Sequence, residues 1–188
     1  MGAALRKLIG VLALVLAVPT LGTVAVLVAS ALGGRLPTPS FWSANLGLIY
    51  AVGAVLTVAL YASLWLLARP RAGAWLLLLA ALVLLANYVG VMVLVRWVPA
   101  NYVDTLLQTF NWAGIASIVC LSVGLWLTGL LRGWVTGAAV ACAILRVAQS
   151  LVPLIPAFDA TNVGLLLAAG SVFFEVFLFG VAITMLVD

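Results

Sequence analysis

Six long apolar stretches, each bounded by a turn, decide what this chain can become. The first, Leu8 to Ala29, follows a short basic head that ends in Arg6 and Lys7. At 1.5 Å per residue a run of this length crosses a hydrocarbon core of about 30 Å. Gly33 to Ser43 then carries consecutive breakers, Gly-Gly-Arg-Leu-Pro-Thr-Pro-Ser. Arg69-Pro70-Arg71 is a tight basic turn. Pro99 to Val103 leads to Asp104, a candidate N-cap. Arg132-Gly133 and Pro153 to Asp159 separate the last three runs. The pattern predicts helices over about residues 5–31, 44–68, 74–98, 104–131, 134–152 and 160–187. Pro19 is expected to kink the first of them.

Lipid offers the backbone no hydrogen-bond partners, so a spanning chain must satisfy its own amides, and helices do that. Of 188 residues, 68% are hydrophobic and 6% are charged, whereas a soluble domain carries about 25% charged residues. The predicted class is an all-α integral membrane protein. Its 188 residues form one transmembrane domain, a six-helix up-and-down bundle, because short connections make sequence neighbours pack antiparallel. Ala29-Ser30-Ala31 looks like a small-residue cleavage site, yet the preceding run exceeds the usual 7–15 residues of a signal h-region. The first helix is therefore expected to be retained.

Charge placement orients the bundle. With the N-terminus inside, the inner segments hold Arg6, Lys7, Arg69, Arg71 and Arg132. The outer ones hold Arg35 and Arg96 with Asp104 and Asp159. The positive-inside rule then places both termini in the cytoplasm, and Trp65, Trp75, Trp126 and Trp134 lie near the inner turns as an interfacial belt would. The expected location is a cell membrane, most simply a prokaryotic plasma membrane, crossed several times. The +4 net charge reads as orientation, not as nucleic-acid binding.

Within the apolar runs, polar residues mark the candidate site. Glu175 sits near the middle of the last run. A carboxyl there costs at least ~2.5 kcal/mol on insertion scales, so it should face a protein interior or a hydrated cavity. Gly164, Ala168, Ser171, Glu175, Leu178 and Ala182 share its face, a small-residue stripe suited to close helix approach, while Phe173, Phe174 and Phe177 lie on other faces. Arg146 lies about 10 Å from the outer end of the fifth helix and Glu175 about 22 Å from the same end, by the helical rise. Side chains tilt toward the N-terminus of their helix, which on antiparallel helices brings these two toward each other. Ala139, Cys142, Arg146 and Gln149 form a second small and polar stripe. Asp104, Gln108 and Asn111 share one face of the fourth helix. With Asn87, Gln149 and Ser150 they outline a cleft open to the outside. Asp104 and Arg96 stand at its mouth, and Glu175 at its floor.

Internal repetition is hinted at. Tyr50 to Leu66 aligns without gaps on Asn111 to Leu127, matching Gly53 with Gly114, and Asn87 follows Trp75 at the spacing at which Arg146 follows Trp134. Duplicated hairpins are common among transporters.

The chain has no histidine, which argues against histidine-ligated haem, histidine-rich metal sites and histidine general bases, so no cofactor or metal is expected. Cys120 and Cys142 lie inside apolar runs and read as packing. No Walker-type loop, His-Glu-x-x-His or nucleophile elbow occurs, so an enzyme is not expected. Two functions fit. One is a protein that binds or translocates a small solute or ion in an outward-facing polar cleft. The topology is similar to that of substrate-binding subunits of vitamin and metal uptake systems, at the level of topology alone. The other is an accessory or assembly subunit of a larger membrane complex. The expected partners are the lipid bilayer and either a small solute or other membrane subunits.

Overall fold

A computed structural model describes residues 2–32, 40–94, 97, 99–152 and 160–187. Six α-helices account for nearly all of them: α1 Gly2–Ala31, α2 Ser40–Ala68, α3 Ala74–Val89, α4 Ala100–Thr128, α5 Gly133–Leu151 and α6 Ala160–Val187. All six are long and apolar enough to cross a membrane. Each packs against its neighbours in the chain, and α1 also packs along α6, so the helices close into a ring.

Small residues set the close approaches. Gly10 of α1 lies against Met185 and Leu186 of α6, and Gly124 of α4 lies against Leu76 and Leu77 of α3. Gly180 of α6 lies against Trp134 and Val135 of α5, while Gly170 lies against Leu145 and Arg146 further along the same pair. The order of these contacts makes both pairs that involve α6 antiparallel. Hydrogen bonds cross the seams as well. Ser117 Oγ donates to Ala80 O at 2.8 Å, and Ser122 Oγ donates to Ala139 O at 2.9 Å.

The turns depend on two left-handed glycines. Gly73, at φ 84°, starts α3 and sits against the Leu127 side chain. Gly129, at φ 55°, stops α4, its N–H reaching Leu125 O and Trp126 O. Side chains pay a steric penalty in this region that glycine does not. At the same end of the bundle Arg71 Nη1 donates to Thr128 O at 3.1 Å, covering a carbonyl that the end of α4 leaves open, and the Arg69 guanidinium lies 5.5 Å from the Trp65 ring centre.

Several boundaries differ from the sequence expectation. Helix α4 begins at Ala100, with Pro99 as its N-cap, so Asp104 is a helical residue and not the cap. The fixed φ of proline pre-forms the first turn, in which Tyr102 N–H already reaches Pro99 O at 2.9 Å. The same helix ends at Thr128, three residues early, because Gly129 leaves the right-handed region. Helix α2 begins at Ser40, four residues before its expected start. Helix α3 gives way at Gly90 to a π-helical turn, Gly90–Leu94, where Gly90 abuts the ring of Phe110.

The ring is filled at one end and hollow toward the other. Leu60, Leu64, Leu77, Leu121, Leu125, Val135, Phe177, Leu178 and Val181 are fully buried and pack together. The outer surface is apolar too: Val55, Leu82, Trp126 and Leu127 are among the many large side chains exposed on it. A methyl added at Gly180 would lie 2.8 Å from Val135 Cγ2, with the Trp134 ring equally close, whereas one added at Gly137 meets nothing. Gly180→Leu should therefore destabilise the purified protein by about 1–3 kcal/mol. Gly137→Leu should leave the thermal midpoint unchanged, and equal midpoints for the two variants would show that the α5–α6 seam is not tightly packed.

Candidate functional site

Above the packed end lies a cavity of about 660 Å³, lined from all six helices. Leu16 and Thr20 come from α1, Thr57 and Tyr61 from α2, Asn87 and Tyr88 from α3, Asn111 and Gly114 from α4. Cys142 and Arg146 come from α5, and Ser171, Phe174 and Glu175 from α6. The helical period explains the convergence. Gly53, Thr57 and Tyr61 are spaced by four on α2, as are Leu16 and Thr20 on α1 and Ser171 and Glu175 on α6, so each helix turns one such file inward.

Glu175 is 5% exposed, and neither carboxylate oxygen has a hydrogen-bond partner. Its whole small-residue file from Ala168 to Ala182 is buried as expected, Ser171 at 6%. The neighbouring hydroxyls are bonded first to their own helices. Thr20 Oγ1 approaches the carboxyl but donates to Leu16 O at 2.8 Å and Ala17 O at 3.1 Å. Ser171 Oγ donates to Leu167 O at 2.8 Å.

Arg146 does not form an ion pair with Glu175. Its Nη2 lies 3.4 Å from Ser171 Oγ and its Nη1 lies 3.4 Å from Gln149 Oε1. The guanidinium therefore stands level with Ser171, one helical turn above the carboxyl. The mutual tilt expected from the helix directions closes only part of the gap between their Cα levels.

The remaining expected residues divide. Asn87 lines the cavity with Oδ1 buried and unpartnered, and its amide nitrogen faces Gly114. Asn111 also lines it and donates from Nδ2 to Ser150 Oγ at 2.9 Å, tying α4 to α5. Gln149 contributes only through its bond to Arg146. Gln108 is exposed and is not among the lining residues. Arg96 and the side chain of Asp104 lie outside the described residues, so the cleft mouth does too.

Sequence reasoning missed Thr20, Thr57, Tyr61, Ser117 and Phe174, all of which line the cavity. Spacing by four from Gly53 was the available signal for Thr57 and Tyr61. Phe174 faces the cavity and Phe177 is fully buried because α6 packs on two neighbours, α1 and α5, and so buries more than one face.

A buried polar group without a partner costs about 1–3 kcal/mol. Glu175→Leu should therefore raise the thermal midpoint of the ligand-free protein. A fall would mean that the carboxyl is already satisfied inside the fold. Compared with protein-family models, curated proteins and solved structures, the chain matches none.

Proposed function

We propose that this is a multi-pass integral membrane protein that binds or translocates a small solute or ion in the cavity between its helices. One observation carries the reading: a cavity of about 660 Å³, walled by six helices, holds a buried carboxyl with both oxygens unpartnered. Ligand pockets commonly measure about 300–1,000 Å³ and are mostly apolar with a few convergent polar groups. An ionisable residue at this depth is a functional candidate by default.

The membrane setting rests on the distribution of polarity. Large apolar side chains cover the outside, Trp126 being 73% exposed, while Glu175, Asn87 and the hydroxyls of Thr57, Ser117 and Ser171 turn inward. Water-soluble monomers rarely expose contiguous apolar patches of more than a few hundred Å². Arg6, Lys7, Arg69, Arg71 and Arg132 sit at helix ends or turns on the side where Gly10 meets Leu186, with Trp75, Trp126 and Trp134 exposed beside those turns. By the positive-inside rule that end is cytoplasmic, and both termini with it. The cavity then lies in the outer half of the bundle, in a prokaryotic plasma membrane.

Two measurements test the reading. In a variant free of Cys120 and Cys142, Arg71→Cys should resist a membrane-impermeant maleimide in intact cells, whereas Trp97→Cys should react; the opposite labelling would invert the topology. Native mass spectrometry of the protein in mild detergent should show a small adduct. Glu175→Gln and Arg146→Ala should fold yet lose that adduct. Undiminished binding by both variants would remove the cavity from the function. Stoichiometric protein partners without an adduct would make it an accessory subunit, the polar residues then fixing helix packing.

A further inference from the structure

The polar lining of the cavity is lopsided, and the imbalance narrows what it can hold. A hydroxyl has one proton to donate and two lone pairs. Thr57 Oγ1 gives its proton to Gly53 O at 2.7 Å, Ser117 Oγ to Ala80 O at 2.8 Å, and Thr20 and Ser171 give theirs to carbonyls of their own helices. What these groups offer the cavity is therefore lone pairs. Three more acceptors join them, both oxygens of Glu175 and Oδ1 of Asn87, buried and unpartnered. The floor thus gathers acceptors: both Glu175 oxygens and Asn87 Oδ1 lack a hydrogen-bond partner, and the one hydroxyl that approaches the carboxyl, Thr20, bonds to carbonyls of its own helix.

One turn higher the balance reverses. A guanidinium carries five N–H donors, and Arg146 directs two of its nitrogens at oxygens 3.4 Å away, at the long limit of hydrogen bonding. Ample capacity remains for a planar anion, which guanidinium binds through two parallel bonds. Resting on the solute-binding reading above, we infer that the cavity takes a small zwitterion. Its ammonium sits in the acceptor floor at Glu175 and Asn87, and its carboxylate or phosphate sits on Arg146. A primary ammonium supplies three N–H donors to the oxygens that lack them. Ser171 and Glu175 are four residues apart, which puts their Cβ atoms about 5–6 Å apart along the wall. That is the scale of a short amino acid with its hydrogen bonds. A simple cation would meet Arg146 as a like charge, and a simple anion would meet Glu175. Only an occupant with both charges faces an opposite at each end. Tyr61, Phe110 and Phe174 leave apolar wall for the carbon skeleton between them.

The test is thermal unfolding of the purified protein in mild detergent, with millimolar probes of three kinds. Glycine, 4-aminobutyrate and ethanolamine phosphate carry both charges; glycinamide carries only the cation; N-acetylglycine carries only the anion. At least one zwitterion should raise the midpoint by several degrees while the other two kinds leave it unchanged. Glu175→Gln and Arg146→Gln should each lose the response, and Arg146→Lys should keep part of it; the midpoints of the variants without probe report whether they fold. A response to phosphatidylethanolamine doped into the micelle, with none to the free zwitterions, supports the same chemistry presented by a lipid headgroup. Equal stabilisation by glycinamide, retained in Arg146→Gln, overturns the zwitterion and leaves a cation site. No response to any probe overturns it as well. If the native adduct persists in that case, solute binding stands with another ligand class; if the adduct is missing too, both readings fall.

Discussion

Helices that are apolar on every side gain little from hiding apolar surface from one another in lipid, so close contact and internal hydrogen bonds must hold such a ring together. On the membrane reading proposed above, the packing of the ring depends on this constraint throughout. Gly10, Gly124 and Gly180 let side chains of the facing helix sit almost on the backbone, and the large residues that receive them are Leu186, Leu77 and Trp134. Dispersion contacts of this kind are individually about 0.1–0.2 kcal/mol and become significant only when packing is tight and continuous. The fully buried leucines from Leu60 to Leu178 form that continuous region at one end, and it is what holds the other end open.

The same constraint explains the chemistry of the hollow half. Away from water, a hydroxyl in a helix satisfies itself most easily on the carbonyl four residues back, as Thr20, Thr57 and Ser171 do. A carboxyl cannot follow them, because in its charged form it only accepts. Glu175 is therefore, with Asn87 Oδ1, a group in the cavity wall that local structure leaves unsatisfied. Its file of small neighbours brings α1 and α5 close without offering a donor. Arg146, the strongest donor nearby, is held one turn away by Ser171 and Gln149.

Much of this was legible in the sequence because long apolar helices announce themselves by run length. The six helices, the buried face of α6 and the inward placement of Glu175, Arg146 and Asn111 follow from run length and from period-3.6 stripes, and that of Asn87 from its place in the outer half of its helix. The turns were less legible. Pro99 and Gly129 overrode the more familiar cap and basic-turn signals at Asp104 and Arg132, and the π-helical turn after Val89 has no composition of its own. The cavity wall was half hidden because its other members are common residues. Thr20 and Tyr61 look like any threonine and tyrosine in an apolar run until a partner helix is placed opposite them. Gln108 shows the reverse error. It shares a face with Asn111, which lines the cavity, but does not line it itself. Gly53, Gly114, Asn87 and Arg146, the residues matched in the hinted repeat, all line the larger cavity.

The seam between α1 and α6 closes the ring, and it joins the helices farthest apart in the chain. During synthesis α1 exists long before its partner. Ile9, Ala13 and Ala17 are buried in the finished bundle, where α1 packs along α6. Contacts of such long sequence separation are slow to form, because the intervening loop must be closed before they repay it. The five helices α1 to α5 thus amount to an open arc with no enclosed interior. Glu175 lies on the element that shuts it, so closing the ring and enclosing the carboxyl are one and the same step. An arc without α6 would leave one clear feature uncovered: the bare edge of α1.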